Sequence, residues 1–336
     1  MSEAGQGISS EGLLVVIWTL ASVSTVLLAG RLLIRSIVLK SFHLDDMFGA
    51  ISWLLMMLVM IIATVELPLS YQYSSILIGE SPAPPESELE NMAIRLRKWD
   101  VASETCFWTS LFCVKLSFMF LYKIAFCPRN KYNRVWSWSL IYIVLCYGTC
   151  LIGVYGQCGD AINLFSYEEC ITPYVALLQS RLVWVDYFFN VTSDIVVIAL
   201  PMPVIWRLNM GTKQKLALSA ICSLAMITIA FETVRSVKLH QLDSHLTNLY
   251  SYLELLVSVL ISQLPSYRFL ISPSEKDREY RRLFWSRVTM RSYHSGFSGY
   301  SMQNFDRTPR ATESWGTTHS TIRGREVPSP ISINTK

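Results

Sequence analysis

Charge is what this sequence has least of. Only 16% of its 336 residues are Asp, Glu, Lys or Arg, against roughly 25% in soluble domains. The hydrophobic 51% is gathered into blocks that are apolar on every helical face, which excludes an ordinary soluble helical domain. No basic patch interleaved with exposed aromatics occurs, so nucleic acid is excluded as a partner. HExxH, GxSxG and Walker-loop signatures are all missing. The eight cysteines show no CxxC pair and no Cys/His metal spacing, and Asp45-Asp46 stands alone instead of in a DDxxD-type cluster. No metal and no cofactor is therefore expected. The opening MSEAGQGISSEG lacks the positive n-region of a signal peptide, so the first apolar block reads as a retained span.

What is present is a series of bilayer-length blocks. Seven can be marked, at about 12–34, 46–68, 101–123, 136–157, 183–206, 214–235 and 248–270. The seventh is the least apolar, interrupted by Glu254 and Gln263. Lys and Arg fall unevenly between them. Sixteen lie on the side of Arg31, Arg35, the 123–134 turn, the 207–215 turn and the segment 276–291, against six on the other side. By the positive-inside rule the N-terminus is outside and the C-terminus cytoplasmic. The expected organisation is an outer N-terminus over 1–11, an all-α seven-transmembrane-helix bundle over 12–270, and a tail over 271–336 that is first basic and then disordered. A multi-pass protein of the plasma membrane is favoured over one of an internal membrane.

The first outer loop is expected over about 69–100 and the second over about 158–182, where Cys158 and Cys170 occur. A disulfide persists on that side, so a Cys158–Cys170 bridge is expected, with Cys106 as a competing partner. The Asn190-Val191-Thr192 sequon lies inside a span, where it cannot be glycosylated.

The fifth block, Asp186 to Leu208, carries Asp186, Asn190 and Asp194 four residues apart, stacked along one helical face. Charged groups at such depth face a bundle interior or a water-filled cavity. Lys115 lies roughly 12 Å from the cytoplasmic end of its span and Asp194 roughly 18 Å from its own, at 1.5 Å per residue. A single intramembrane polar network of Lys115, Asn190 and Asp194 with the Asp45-Asp46 pair is expected, and exchanging the charges of Lys115 and Asp194 should partly preserve it. Glu66, Glu232 and Glu254, with Asp186, would rim an acidic outer vestibule suited to a small cationic or polar molecule. In an alternative reading Asp186 or Asp194 acts as general acid on an apolar substrate, in the manner of a membrane cyclase or isomerase.

The quoted pattern resembles the fungal rhodopsin-domain integral membrane proteins, which include the Pth-type receptor-like proteins and the satratoxin-cluster membrane proteins. The matching elements are LDD at 44–46, VKLSFMFLYKIAF at 114–126, NVTSDIVVIALPMPVIWRL at 190–208, Arg235 and LPSYR at 264–268. The resemblance implies seven spans, an outer N-terminus, and a receptor-like role with a cytoplasmic signalling partner or a role in a secondary-metabolite cluster. The chain departs from opsins and standard receptors in three places. Its seventh block has no lysine for a retinal Schiff base, its third is followed by no DRY-like triplet, and the seventh contains no NPxxY-like motif.

Overall fold

Residues 10–39, 43–79, 81–82, 84–126, 130–159, 163–165, 170, 172–202, 212–240 and 244–267 are described by a computed structural model. Among them every long element is a helix: α1 Ser10–Leu33, α2 Leu44–Ile78, α3 Glu86–Phe126, α4 Asn130–Tyr155, α5 Pro173–Ala199, α6 Thr212–His240 and α7 Ser244–Gln263. A π-helical stretch, Ile34–Leu39, continues α1, and a 3-10 turn, Leu264–Tyr267, ends α7. Residues 127–129, 203–211 and the tail from 268 lie outside the described residues.

Local chemistry sets the helix ends. The backbone N–H of His43 donates to Asp46 Oδ2 at 3.3 Å, and Asp45 and Asp46 occupy the first turn of α2, where the helix dipole favours carboxylates. The same helix stops at Gly79, whose φ of 83° is the left-handed cap that glycine adopts readily. Pro173 sits in the first turn of α5, where its missing N–H leaves nothing unsatisfied.

Two helices outrun the expected spans. α2 has 35 residues and α3 has 41, roughly 52 and 61 Å at 1.5 Å per residue, where about 30 Å crosses the hydrocarbon core. Most of 69–100 is therefore helix and not a loop. Apolarity misses this extension because Glu88, Arg95 and Lys98 are good helix formers that belong in water or headgroups. α5 likewise starts at Pro173, well before the expected 183.

Successive helices pack side by side, and α7 returns to α1 to close the ring. α3 runs through the middle, touching α2, α4, α5 and α7. Its most apolar window is 67% buried, against 17–33% for the other four spans apolar enough to cross a membrane. Among the described residues those five are Glu11–Ser36, Leu44–Ile76, Glu86–Ile124, Tyr132–Tyr155 and Pro173–Ala199, judged by length and composition. Their outward faces carry exposed Val26, Leu54, Leu145, Ile152 and Leu177. Apolar surface on this scale needs lipid around it. The interior contact of α1 with the end of α7 is tight: Tyr267 Oη donates to the Leu27 carbonyl and lies where a Cβ on Gly30 would be, so position 30 has no room for a side chain.

Candidate functional site

Among the described residues, three charged clusters occupy the bundle interior. The middle one forms around Lys115, which the central helix α3 carries into a buried position. Its Nζ lies 2.9 Å from Asp194 Oδ1 and donates to the Asn190 carbonyl at 2.9 Å, Asn190 Oδ1 at 2.6 Å and Ser193 Oγ at 2.7 Å. Four oxygens thus surround three ammonium protons, with the Phe112 ring 4.9 Å away on the same helix. Asn190 passes the contact on, its Nδ2 donating to Glu254 Oε1 of α7 at 3.4 Å. Glu254 in turn pairs with Arg235 of α6, Oε2 to Nε at 3.0 Å, and the Arg235 guanidinium stacks over Phe107 and Trp108 of α3. A cavity of about 40 Å³ adjoins this chain, lined in part by Lys115, Asn190, Asp194, Thr228, Glu254 and Ser258. That is room for a few waters and not for an organic ligand.

Asp45 and Asp46 belong to a different cluster, which corrects the single network expected from the sequence. Arg31 is 2% exposed and reaches both acids, Nε to Asp46 Oδ1 at 2.9 Å and Nη2 to Asp45 Oδ2 at 3.1 Å. Its Nη1 donates to the Ser262 carbonyl of α7 at 2.6 Å. Arg35 adds contacts to Asp45 Oδ2 at 2.7 Å and to Asp46 Oδ1 at 3.1 Å. The Ser117 hydroxyl on α3 donates to the Asp45 carbonyl at 2.8 Å, so this cluster ties α1, α2, α3 and α7 together. Two guanidiniums meet both acids here, and Lys115 has no opening to join them. His43, Asp45 and Asp46 have ligand atoms within 4.8 Å of one another, but the two arginines already supply the positive charge that a metal would bring.

At the end of the bundle that carries the disulfide, a third cluster gathers acids from α2 and α3. Cys158 and Cys170 are bonded, and Cys106 remains a free thiol. Arg97 donates to Gln157 Oε1 at 3.1 Å and to Cys158 Sγ at 3.2 Å, while Gln157 Nε2 donates to Glu104 Oε2 at 2.5 Å. Buried Glu66 of α2 meets Asp100 of α3 side chain to side chain. Arg97, Asp100 and Glu104 follow an i, i+3, i+7 pattern along one face of α3. That spacing was available in the sequence, but these residues fall in the stretch assigned to a loop or to the start of a span.

Asp186 parts from Asn190 and Asp194. Each four-residue step advances about 40° around a helix, which turns Asp186 toward α4. There it packs against Gly153, where an added Cβ would stand 2.8 Å from both carboxylate oxygens. Its Oδ1 has no hydrogen-bond partner among the described residues. Glu232 of α6 is 1% exposed, and neither of its oxygens is hydrogen-bonded among the described residues.

Apolar outer faces and ion-paired interior charges define a helical, multi-pass membrane protein. The chain belongs to the fungal rhodopsin domain family, whose model matches residues 30–273, a range that holds all three clusters. No curated protein and no solved structure matches the chain.

Proposed function

We propose that this chain is a seven-span, receptor-like protein, N-terminus outside and tail in the cytoplasm, that senses a small external molecule. The observation that carries this reading is the continuous polar chain from Lys115 through Asn190 and Glu254 to Arg235, which joins α3, α5, α6 and α7. A ligand that competes for one of these charges at the disulfide-bearing end forces its partners to re-pair, so a local contact becomes a helix shift. The adjoining cavity is too small for an organic molecule, so binding has to open the bundle or occur at its mouth. Helix movement would reach a cytoplasmic signalling partner through the start of α4 and the start of α6. The plasma membrane is the site that suits such a role.

Reporter tags on the two chain ends, probed in sealed cells, should show opposite accessibility; equal accessibility would remove the seven-span arrangement. For the function itself, a host strain lacking the protein and one carrying Lys115→Met should both lose a response to an external chemical cue while their metabolite profiles stay unchanged. Accumulation of a biosynthetic intermediate in both strains would instead support the second reading, a membrane enzyme or accessory protein of a secondary-metabolite pathway. That reading draws on Asp186, whose unpartnered Oδ1 is a better placed acid than Asp194, already the counter-ion of Lys115.

A further inference from the structure

We propose that Glu66 and Asp100 form a proton-dependent clasp between α2 and α3, closed by one proton shared between their carboxyl groups and opened by its loss. The two acids come from different helices and meet side chain to side chain. Glu66 is 4% exposed, and its Oε2 has no hydrogen-bond partner among the described residues. Neither acid takes part in the ion pairs found among the described residues, which join Arg31 and Arg35 to Asp45 and Asp46, Lys115 to Asp194, and Arg235 to Glu254. Arg97 stands one turn before Asp100 on α3, but its two terminal nitrogens donate to Gln157 Oε1 and Cys158 Sγ instead.

Two carboxylates in contact cannot both stay ionised without a counter-charge, whereas a carboxylic acid donates a short, charge-assisted hydrogen bond to a carboxylate beside it. One proton therefore turns a repulsion between α2 and α3 into a bond. Leu67, Val101 and Tyr252 of α7 are buried around the pair, so little water screens the repulsion once the proton leaves. A metal ion is the other way to bridge two acids. Among the described residues, the three metal-ligating side chains close enough to hold one are His43, Asp45 and Asp46, at the opposite end of α2. The remaining titratable groups toward the pair are Glu104 on α3, which accepts from Gln157 Nε2, and the Tyr252 phenol. Beyond Glu104 lie Arg235 of α6 and Asp186 of α5. At this end α1 brings Glu11, which is exposed, and α4 brings the neutral Gln157. The clasp lies apart from the Lys115 chain, and only the side from which its proton arrives rests on the orientation proposed above.

In the unfolded chain the two acids ionise separately above about pH 4. The folded bundle keeps one proton between them, so stability falls as pH rises until that proton is lost. The test melts the full chain in lipid nanodiscs, in buffers with chelator from about pH 5 to about pH 9. The apparent Tm should drop by roughly 2–4 °C as pH rises. An infrared band of a protonated carboxyl group should disappear over the same range. Glu66→Gln and Asp100→Asn each give the remaining carboxylate a permanent amide donor. Both should flatten the pH dependence, weaken that band, and melt above the unmodified protein at the alkaline end. A flat Tm in the unmodified protein, or no carboxyl band that titrates, overturns the proposal, and both measurements stand even if a variant fails to fold. A pH response undiminished in both variants also overturns it. Recovery of the alkaline Tm by added calcium, with chelator omitted, would assign the counter-charge to a metal and overturn it too.

Discussion

Replacing Arg31 with alanine should destabilise the protein by about 3–5 kcal/mol, the cost of breaking a buried ion pair by removing one partner. The loss is large because Arg31 serves three acceptors on two other helices: Asp45 and Asp46 of α2 and the Ser262 carbonyl of α7. Arg35 remains, but it is the more exposed of the two, and one guanidinium then faces two buried carboxylates. Arg31→Lys should recover little of the loss, since a single ammonium cannot reproduce a planar fork that spans Nε, Nη1 and Nη2. Gly49 sets a further limit, because a Cβ there would come within 3.4 Å of Arg31 Nη1. The measurement is the fraction of protein that stays monodisperse after heating in detergent. If Arg31→Ala melts within a degree of the unmodified protein, the cluster is not holding α1 to α2 and α7.

Lys115→Met should cost about 3–5 kcal/mol for the same reason, and Asp194→Asn less. The lysine variant leaves Asp194, the Asn190 carbonyl, Asn190 Oδ1 and Ser193 Oγ without their shared donor. The aspartate variant leaves the ammonium its other three acceptors. Removing both charges together should be milder than the sum of the two single changes, and a double-mutant cycle would measure that coupling. Exchanging the two charges should fail. An aspartate at position 115 would face the Asn190 carbonyl and Oδ1, which are acceptors, so the partial rescue suggested by sequence alone does not survive the geometry. Full stability in the exchanged variant would mean that Lys115 and Asp194 interact only as point charges.

Much of this site was legible because a charge inside an apolar block announces itself. Lys115 in VKLSFMFLYKIAF and Asp194 in NVTSDIVVIALPMPVIW stand out against neighbours that belong in lipid. The Cys158–Cys170 bond was legible for a similar reason, as two cysteines share one short stretch between apolar blocks. Arg31 was not. It sits at the end of its block, where basic residues ordinarily mark the cytoplasmic face, and nothing in its local sequence separates a topology marker from a buried ligand of two acids. Arg97, Asp100 and Glu104 were hidden in the polar half of α3, where apolar length is no guide to helix length.

Taken by itself, the sequence determined the class of the molecule: a chain of helices whose faces need lipid and whose few interior charges must find partners. Hydropathy is a property of one helix at a time, so it can be summed along the chain. Which charge meets which was decided only by the tertiary structure. The rotation and neighbours of each helix send Asp45 and Asp46 to the arginines of α1 and its continuation, bring Lys115 to α5, and leave Glu232 buried with no hydrogen bond among the described residues. Pairing is a relation between helices far apart in the chain, and it is set by how their surfaces pack.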